Sequence, residues 1–211
     1  MQNRQAYLYV FNTMSDWEYG YLAAELNTGR YFKKGTAPLK VITVSATKES
    51  VTTMGGLRVQ PDLTLDECSL ASGDLLILPG GNTWGEAENQ PVLDRAHDAL
   101  KLGVVVAAIC GATAALADKG YLDAVPHTSN NLDYLKMVSP GYKGEAYHED
   151  GPVAVSGKLV TASGIAPLEF AREVLRVLEV FAPATLDAWY SLNKTHETEY
   201  FFQLMGSLDQ G

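Results

Sequence analysis

Short continuous apolar runs alternate along this chain with longer stretches whose apolar positions recur every three or four residues. Residues 7–11 and 104–109 (VVVAAI) are apolar without a break, residues 74–78 (DLLIL) read as another buried strand, and residues 39–44 are strand-like, the pattern of strands buried on both faces. Residues 16–28 have helical character. Residues 91–102 carry Val92, Leu93, Ala96 and Leu100 on one helical face, and Gly103 supplies the stop. Residues 50–59, broken by Gly55-Gly56, and residues 153–161, turning at Ser156-Gly157, read as hairpins. A helix is predicted over 130–138. A strongly amphipathic one is predicted over 167–180, with Pro167 in its first turn. Residues 184–204 form one or two further helices rich in Trp, Tyr and Phe, whose aromatics suit either core cover or a subunit contact. Alternating strand and helix with unbroken apolar strands predicts an α/β fold, a mostly parallel sheet covered by helices on both faces. The division predicted is a core over 1–182 and a C-terminal helical extension over 183–211.

Composition narrows the function. A chain of 211 residues, 46% apolar and 19% charged, can bury one sizeable core. Its net charge of −9 and lack of a Lys/Arg cluster argue against nucleic acid. No apolar stretch is long enough for a bilayer, and the N-terminus lacks the pattern of a signal peptide. Two cysteines, Cys68 and Cys110, fit free thiols in a reducing cytoplasm. With no Cys/His cluster at ligand spacing, neither a metal nor another cofactor is expected.

The most informative segment is 103–113, GVVVAAICGAT. A buried strand ends at Cys110, Gly111 follows, and a helix starts at once. A cysteine there sits beside the free N–H groups of a helix N-terminus, which stabilise an anion and predict a thiol titrating below its ordinary value of about 8.5. Gly111 allows close backbone approach and supplies an N–H. Gly80 and Gly81, in the Leu78-Pro79-Gly80-Gly81 turn, present backbone N–H groups suited to an oxyanion. Glu18 has two readings. In Ser15-Asp16-Trp17-Glu18 it completes a capping box, or it points into the strand-end crevice as a buried, protonated acid beside the thiolate. His127 is the candidate for moving protons, against a structural role. Ser129 or Asn130 caps the next helix, and Trp17, Trp84, Ser129 and Asn130 are candidate pocket residues.

Asp16-Trp17-Glu18, Pro61-Asp62, Leu78-Pro79-Gly80-Gly81, Ala107-Ala108-Ile109-Cys110, His127 and Thr161-Ala162-Ser163-Gly164 stand in the order that resembles the ThiJ/PfpI superfamily, over residues 7–178. This is the superfamily of the parkinsonism-associated deglycase and of a bacterial intracellular protease or amidase branch. The resemblance implies a flavodoxin-like three-layer sandwich with Cys110 on a nucleophile elbow, Glu18 touching the sulfur, Gly80, Gly81 and Gly111 binding anions, His127 near the cysteine, and a homodimer. The protease branch has a histidine directly after the cysteine. Here that place is Gly111, which argues against protease activity. His196 and Glu199 do not match the late His-x-Glu of glutamine amidotransferases. The expectation is a cysteine-dependent enzyme acting on a small carbonyl or amide substrate, of amidase, hydrolase, glyoxalase or deglycase type. The alternative is a non-enzymatic oxidative-stress sensor working through oxidation of Cys110.

Overall fold

A computed structural model describes residues 4–208. Nine strands run through it: β1 (Ala6–Tyr9), β2 (Val41–Ser45), β3 (Val51–Thr52), β4 (Arg58–Val59), β5 (Leu63–Thr64), β6 (Leu75–Leu78), β7 (Val105–Ile109), β8 (Val153–Ser156) and β9 (Leu159–Ala162). Seven helices accompany them: α1 (Gly20–Thr28), α2 (Gln90–Lys101), α3 (Gly111–Asp118), α4 (Leu132–Val138), α5 (Pro167–Leu178), α6 (Pro183–Thr195) and α7 (Thr198–Ser207). Seven strands make one sheet in the order β5-β2-β1-β6-β7-β9-β8, parallel except for β8, which hairpins back onto β9. β3 and β4 form a separate antiparallel hairpin.

Every residue of β1, β6, β7 and β9 is buried, because helices cover both faces of the central sheet. From β1 the chain crosses to β2 on one side. From β6 it crosses to β7 on the other. Right-handed crossovers in opposite directions place α1 and α2 on opposite faces. α5 packs against α1 on one face, while α2 and α3 pack on β7. The order reverses between β1 and β6, and a crevice opens at such a switch point beyond the carboxyl ends of the strands.

The aromatic tail docks on its own chain. Trp189 of α6 is buried, and its indole N–H donates to Glu25 Oε1 of α1 at 3.0 Å. Arg30 neutralises that buried carboxylate from the other side. Two expectations change. The helix expected from residue 16 starts at Gly20, while the short edge strand β5, which no apolar run announces, was not expected. Asn131, rather than Ser129 or Asn130, caps α4, its Oδ1 accepting from the N–H groups of Asp133 and Tyr134.

Candidate active site

Four neighbouring strands deliver the site from their carboxyl ends. The register pairs Ile109 with Ala162, so the chain leaves β7 beside the end of β9, and Cys110 N–H donates to the Ala162 carbonyl at 2.9 Å. Helix α3 begins at the very next residue, leaving no loop to absorb the change of direction. The turn falls on Cys110 itself, at φ 59°, ψ −123°. A non-glycine residue there carries strain of about 1–3 kcal/mol. The Cys110 carbonyl accepts from the Thr113 amide and hydroxyl, which holds the turn.

Glu18 lies between β1 and α1 and is 1% exposed. The capping-box reading does not hold. The N-cap position of α1 is Tyr19, with no side-chain cap, and residues 15 and 18 instead bond the turn after β6. Ser15 N–H donates to the Gly80 carbonyl at 2.8 Å, and Gly80 N–H donates to Glu18 Oε2 at 2.5 Å. Glu18 Oε1 is buried and takes no hydrogen bond from any nitrogen or oxygen. It faces the sulfur across two glycines. A Cβ on Gly164 would lie 2.8 Å from Cys110 Sγ and 3.1 Å from Glu18 Oε1, and one on Gly80 would lie 2.7 Å from both Cys110 Cβ and Glu18 Oε2. Only residues without a side chain allow these four segments to meet.

Burial pushes the Glu18 carboxyl above the usual carboxylate range, against the pull of the Gly80 N–H, the Cys110 thiol and the Ser15 hydroxyl. Burial also pushes the Cys110 thiol up, and the neighbouring Glu18 charge adds to this. Asn130 and the Gly111 N–H oppose it. The expectation of a thiol lowered by the helix start alone therefore changes direction. An acid packed against the sulfur and removal from water outweigh one N-terminal amide. The two groups form a unit that resists carrying two negative charges at once.

Asn130 is the side chain that bonds the sulfur, Nδ2 donating to Sγ at 3.3 Å. Its orientation is settled by its other end, because Oδ1 accepts the Gly164 N–H at 2.8 Å and so the NH2 group must face Cys110. The loop carrying it is pinned on both sides. Thr128 N–H donates to Thr161 Oγ1 at 2.9 Å, and the Ser129 and Thr113 hydroxyls lie 2.6 Å apart. Sequence reasoning had Asn130 as a pocket residue or a cap and missed this role. Only the fold shows that Asn131 caps α4 and leaves its neighbour free.

His127 stands elsewhere. Its ring is fully buried, with Nδ1 2.7 Å from the Val125 carbonyl and Nε2 2.6 Å from the Tyr142 hydroxyl, so neither nitrogen bonds Cys110. Burial lowers its pKa and keeps the ring neutral. The Gly80 N–H, expected to face an oxyanion, is taken by Glu18. Gly81 packs on the Phe11 ring, where a Cβ would come within 2.6 Å. Gly111 keeps the position expected, its N–H directed at the sulfur. Both cysteines are free, and Cys68 is buried with its pKa pushed up to about 11.

The sulfur opens into a pocket of about 440 Å³ lined by Trp17, Glu18, Cys110, Asn130, Ser163, Gly164, Ile165 and Pro167. Trp84 lines a different cavity, behind Gly111. Among the described residues no helix is long and apolar enough to cross a membrane.

The sequence profile of the DJ-1/PfpI family matches residues 4–177. The uncharacterized protease YoaZ of Bacillus subtilis (strain 168) is 63% identical over the whole of both chains. The glutathione-independent glyoxalase DJR-1.2 of Caenorhabditis elegans is 28% identical over 67% of this chain and 74% of its own. A crystal structure of a thiJ/pfpI family protein from Bacillus anthracis superposes with a TM-score of 0.96 at 67% identity, covering 99% of this chain and 98% of that one.

Proposed function

The chain belongs to the DJ-1/PfpI family, and from that premise we propose that it is a cytoplasmic, cysteine-dependent enzyme acting on a small carbonyl compound, of glyoxalase or deglycase type. The observation that carries this reading is the buried Glu18 Oε1, which has no nitrogen or oxygen partner and faces the Cys110 sulfur. The reacting form of the pair has its proton on Glu18 and a thiolate at Cys110; burial disfavours that form, and Asn130 Nδ2–H and the Gly111 N–H stabilise it. The thiolate attacks the carbonyl carbon, an S–C bond forms as the C=O π bond opens, and the Glu18 proton passes to the new oxyanion. The product is a neutral hemithioacetal, and Glu18 is left as a carboxylate able to take the next proton. Asn130 Nδ2–H lies where it can follow the charge from sulfur to oxygen.

Addition to a carbonyl needs one mobile proton, which the Cys110–Glu18 pair holds. Cleaving a peptide or amide also needs an acid for the departing amine, normally an imidazole. His127 has both ring nitrogens engaged, and Gly111 follows the cysteine. This favours the activity named for the worm relative over the protease name of the Bacillus one.

The test is consumption of a 2-oxoaldehyde such as methylglyoxal, with intact-mass detection of the adduct. Cys110→Ser should abolish both while keeping the circular dichroism spectrum. Undiminished turnover in that variant overturns the proposal.

A further inference from the structure

The walls of the sulfur pocket carry two kinds of side chain. Asn130 and Ser163 are the neutral polar ones, with Cys110 and Glu18. Trp17, Ile165 and Pro167 are the apolar ones. The Trp17 ring is fixed, because its indole N–H donates to the Gly164 carbonyl at 3.3 Å, one residue from the Ile165 side chain. Trp17 is 52% exposed and Ile165 94% exposed, unusual for large apolar side chains beside a reactive sulfur. The ionisable side chains in the lining are Glu18 and Cys110, both acids, and no Lys, Arg or His is among the lining residues.

We propose that this pocket selects a neutral carbonyl compound whose reacting carbon bears an apolar substituent, and discriminates against carbonyl compounds carrying a carboxylate or phosphate. The inference rests on the reading of Cys110 as the nucleophile and deepens it. The carbonyl oxygen lies toward Asn130 Nδ2–H, and the substituent covers the Trp17 ring and Ile165. Covering an exposed isoleucine side chain removes apolar area from water, and a pre-positioned ring loses little freedom on contact. An anionic substituent would meet a site already holding one negative charge, on a chain of net charge −9, with no cation in the lining to offset its desolvation.

The experiment separates this inference from the reading beneath it. Rates of alkylation at Cys110 of the full chain are measured by peptide mass spectrometry with iodoacetate, iodoacetamide and N-benzyl iodoacetamide. Each is divided by the rate of the same reagent with a small free thiol at its own thiolate fraction. The normalised rate should rise in that order, with N-benzyl iodoacetamide at least about tenfold over iodoacetate. Phenylglyoxal should likewise exceed 4-carboxyphenylglyoxal, a 2-oxoaldehyde of the same reactivity that carries a carboxylate, in kcat/KM by about tenfold or more. Ile165→Lys, at a site too exposed to affect folding, should raise the iodoacetate rate and lower the N-benzyl iodoacetamide rate. Equal normalised rates, or an Ile165→Lys variant with unchanged selectivity, overturn the substrate class while leaving Cys110 a nucleophile. Failure of Cys110 to react with any of the three reagents overturns the nucleophile reading, and this inference with it.

Discussion

Gly164 offers the sharpest check on the site geometry, because one methyl group tests three segments at once. In Gly164→Ala the new Cβ would lie 2.8 Å from both Cβ and Sγ of Cys110 and 3.1 Å from Glu18 Oε1. Comfortable contact between such atoms is about 3.5–4.0 Å, so the overlap approaches 1 Å. Neither neighbour can yield freely. Cys110 is held by its strained turn and by the Ala162 carbonyl, and Glu18 by Gly80. Overpacking of this kind costs about 1–3 kcal/mol. At about 2–4 °C per kcal/mol for a chain of this length, the melting temperature should fall by roughly 2–12 °C. Relief would come through movement of the sulfur away from Glu18 and Asn130, so the iodoacetamide rate at Cys110 should fall by about tenfold or more. Gly20→Ala is the matched control. Gly20 opens α1 with nothing within 4 Å of its would-be Cβ, so the variant should melt at or slightly above the parent and alkylate at the parent rate. Differential scanning fluorimetry and timed alkylation read both quantities. A Gly164→Ala variant matching the parent in both would refute the packing of sulfur and carboxyl against that backbone.

Three other outcomes follow from the same geometry. Asn130→Ala removes the one side-chain N–H on the sulfur, so the pH profile of Cys110 alkylation should move to higher pH and turnover should drop by about 10²-fold, with Asn130→Asp at least as damaging; a profile unmoved in both would remove Asn130 from the site. His127→Phe breaks the bonds to Val125 and Tyr142 and should cost about 1–3 kcal/mol in urea denaturation, while the alkylation rate of the folded protein stays within about twofold; collapse of that rate would place the histidine in the chemistry after all. Glu18 has its folded pKa raised, so between its unfolded and folded pKa values the native state holds a proton that the unfolded chain has released, and stability falls as pH rises through that window. Glu18→Gln lacks this dependence, so its stability relative to the parent should improve from pH 4 to pH 8, and a difference flat across that range would mean that the carboxyl is not held protonated by burial.

Local pattern was enough for the sheet and for the elbow. Unbroken apolar runs such as residues 104–109 announce strands covered on both faces, and a strand that meets a helix at Cys110-Gly111 leaves no other residue to make the turn. Those properties reside in consecutive side chains, and so the parallel sheet, both hairpins and the sharp turn at Cys110 were legible. The partners of the sulfur were not. Ser15-x-x-Glu18 has the same spacing whether it caps a helix or reaches Gly80, and the choice depends on residues 62 positions away in sequence. Asn130 and Asn131 are the same residue type side by side, and only the place where α4 starts decides which one caps and which one bonds Cys110. His127 lies at a plausible distance along the chain, yet the fold commits both its nitrogens to Val125 and Tyr142. The sequence by itself determined which groups were capable of chemistry. The tertiary structure alone decided which of them meet, because hydrogen bonds and the desolvation that shifts a proton depend on separations through space that chain order does not specify.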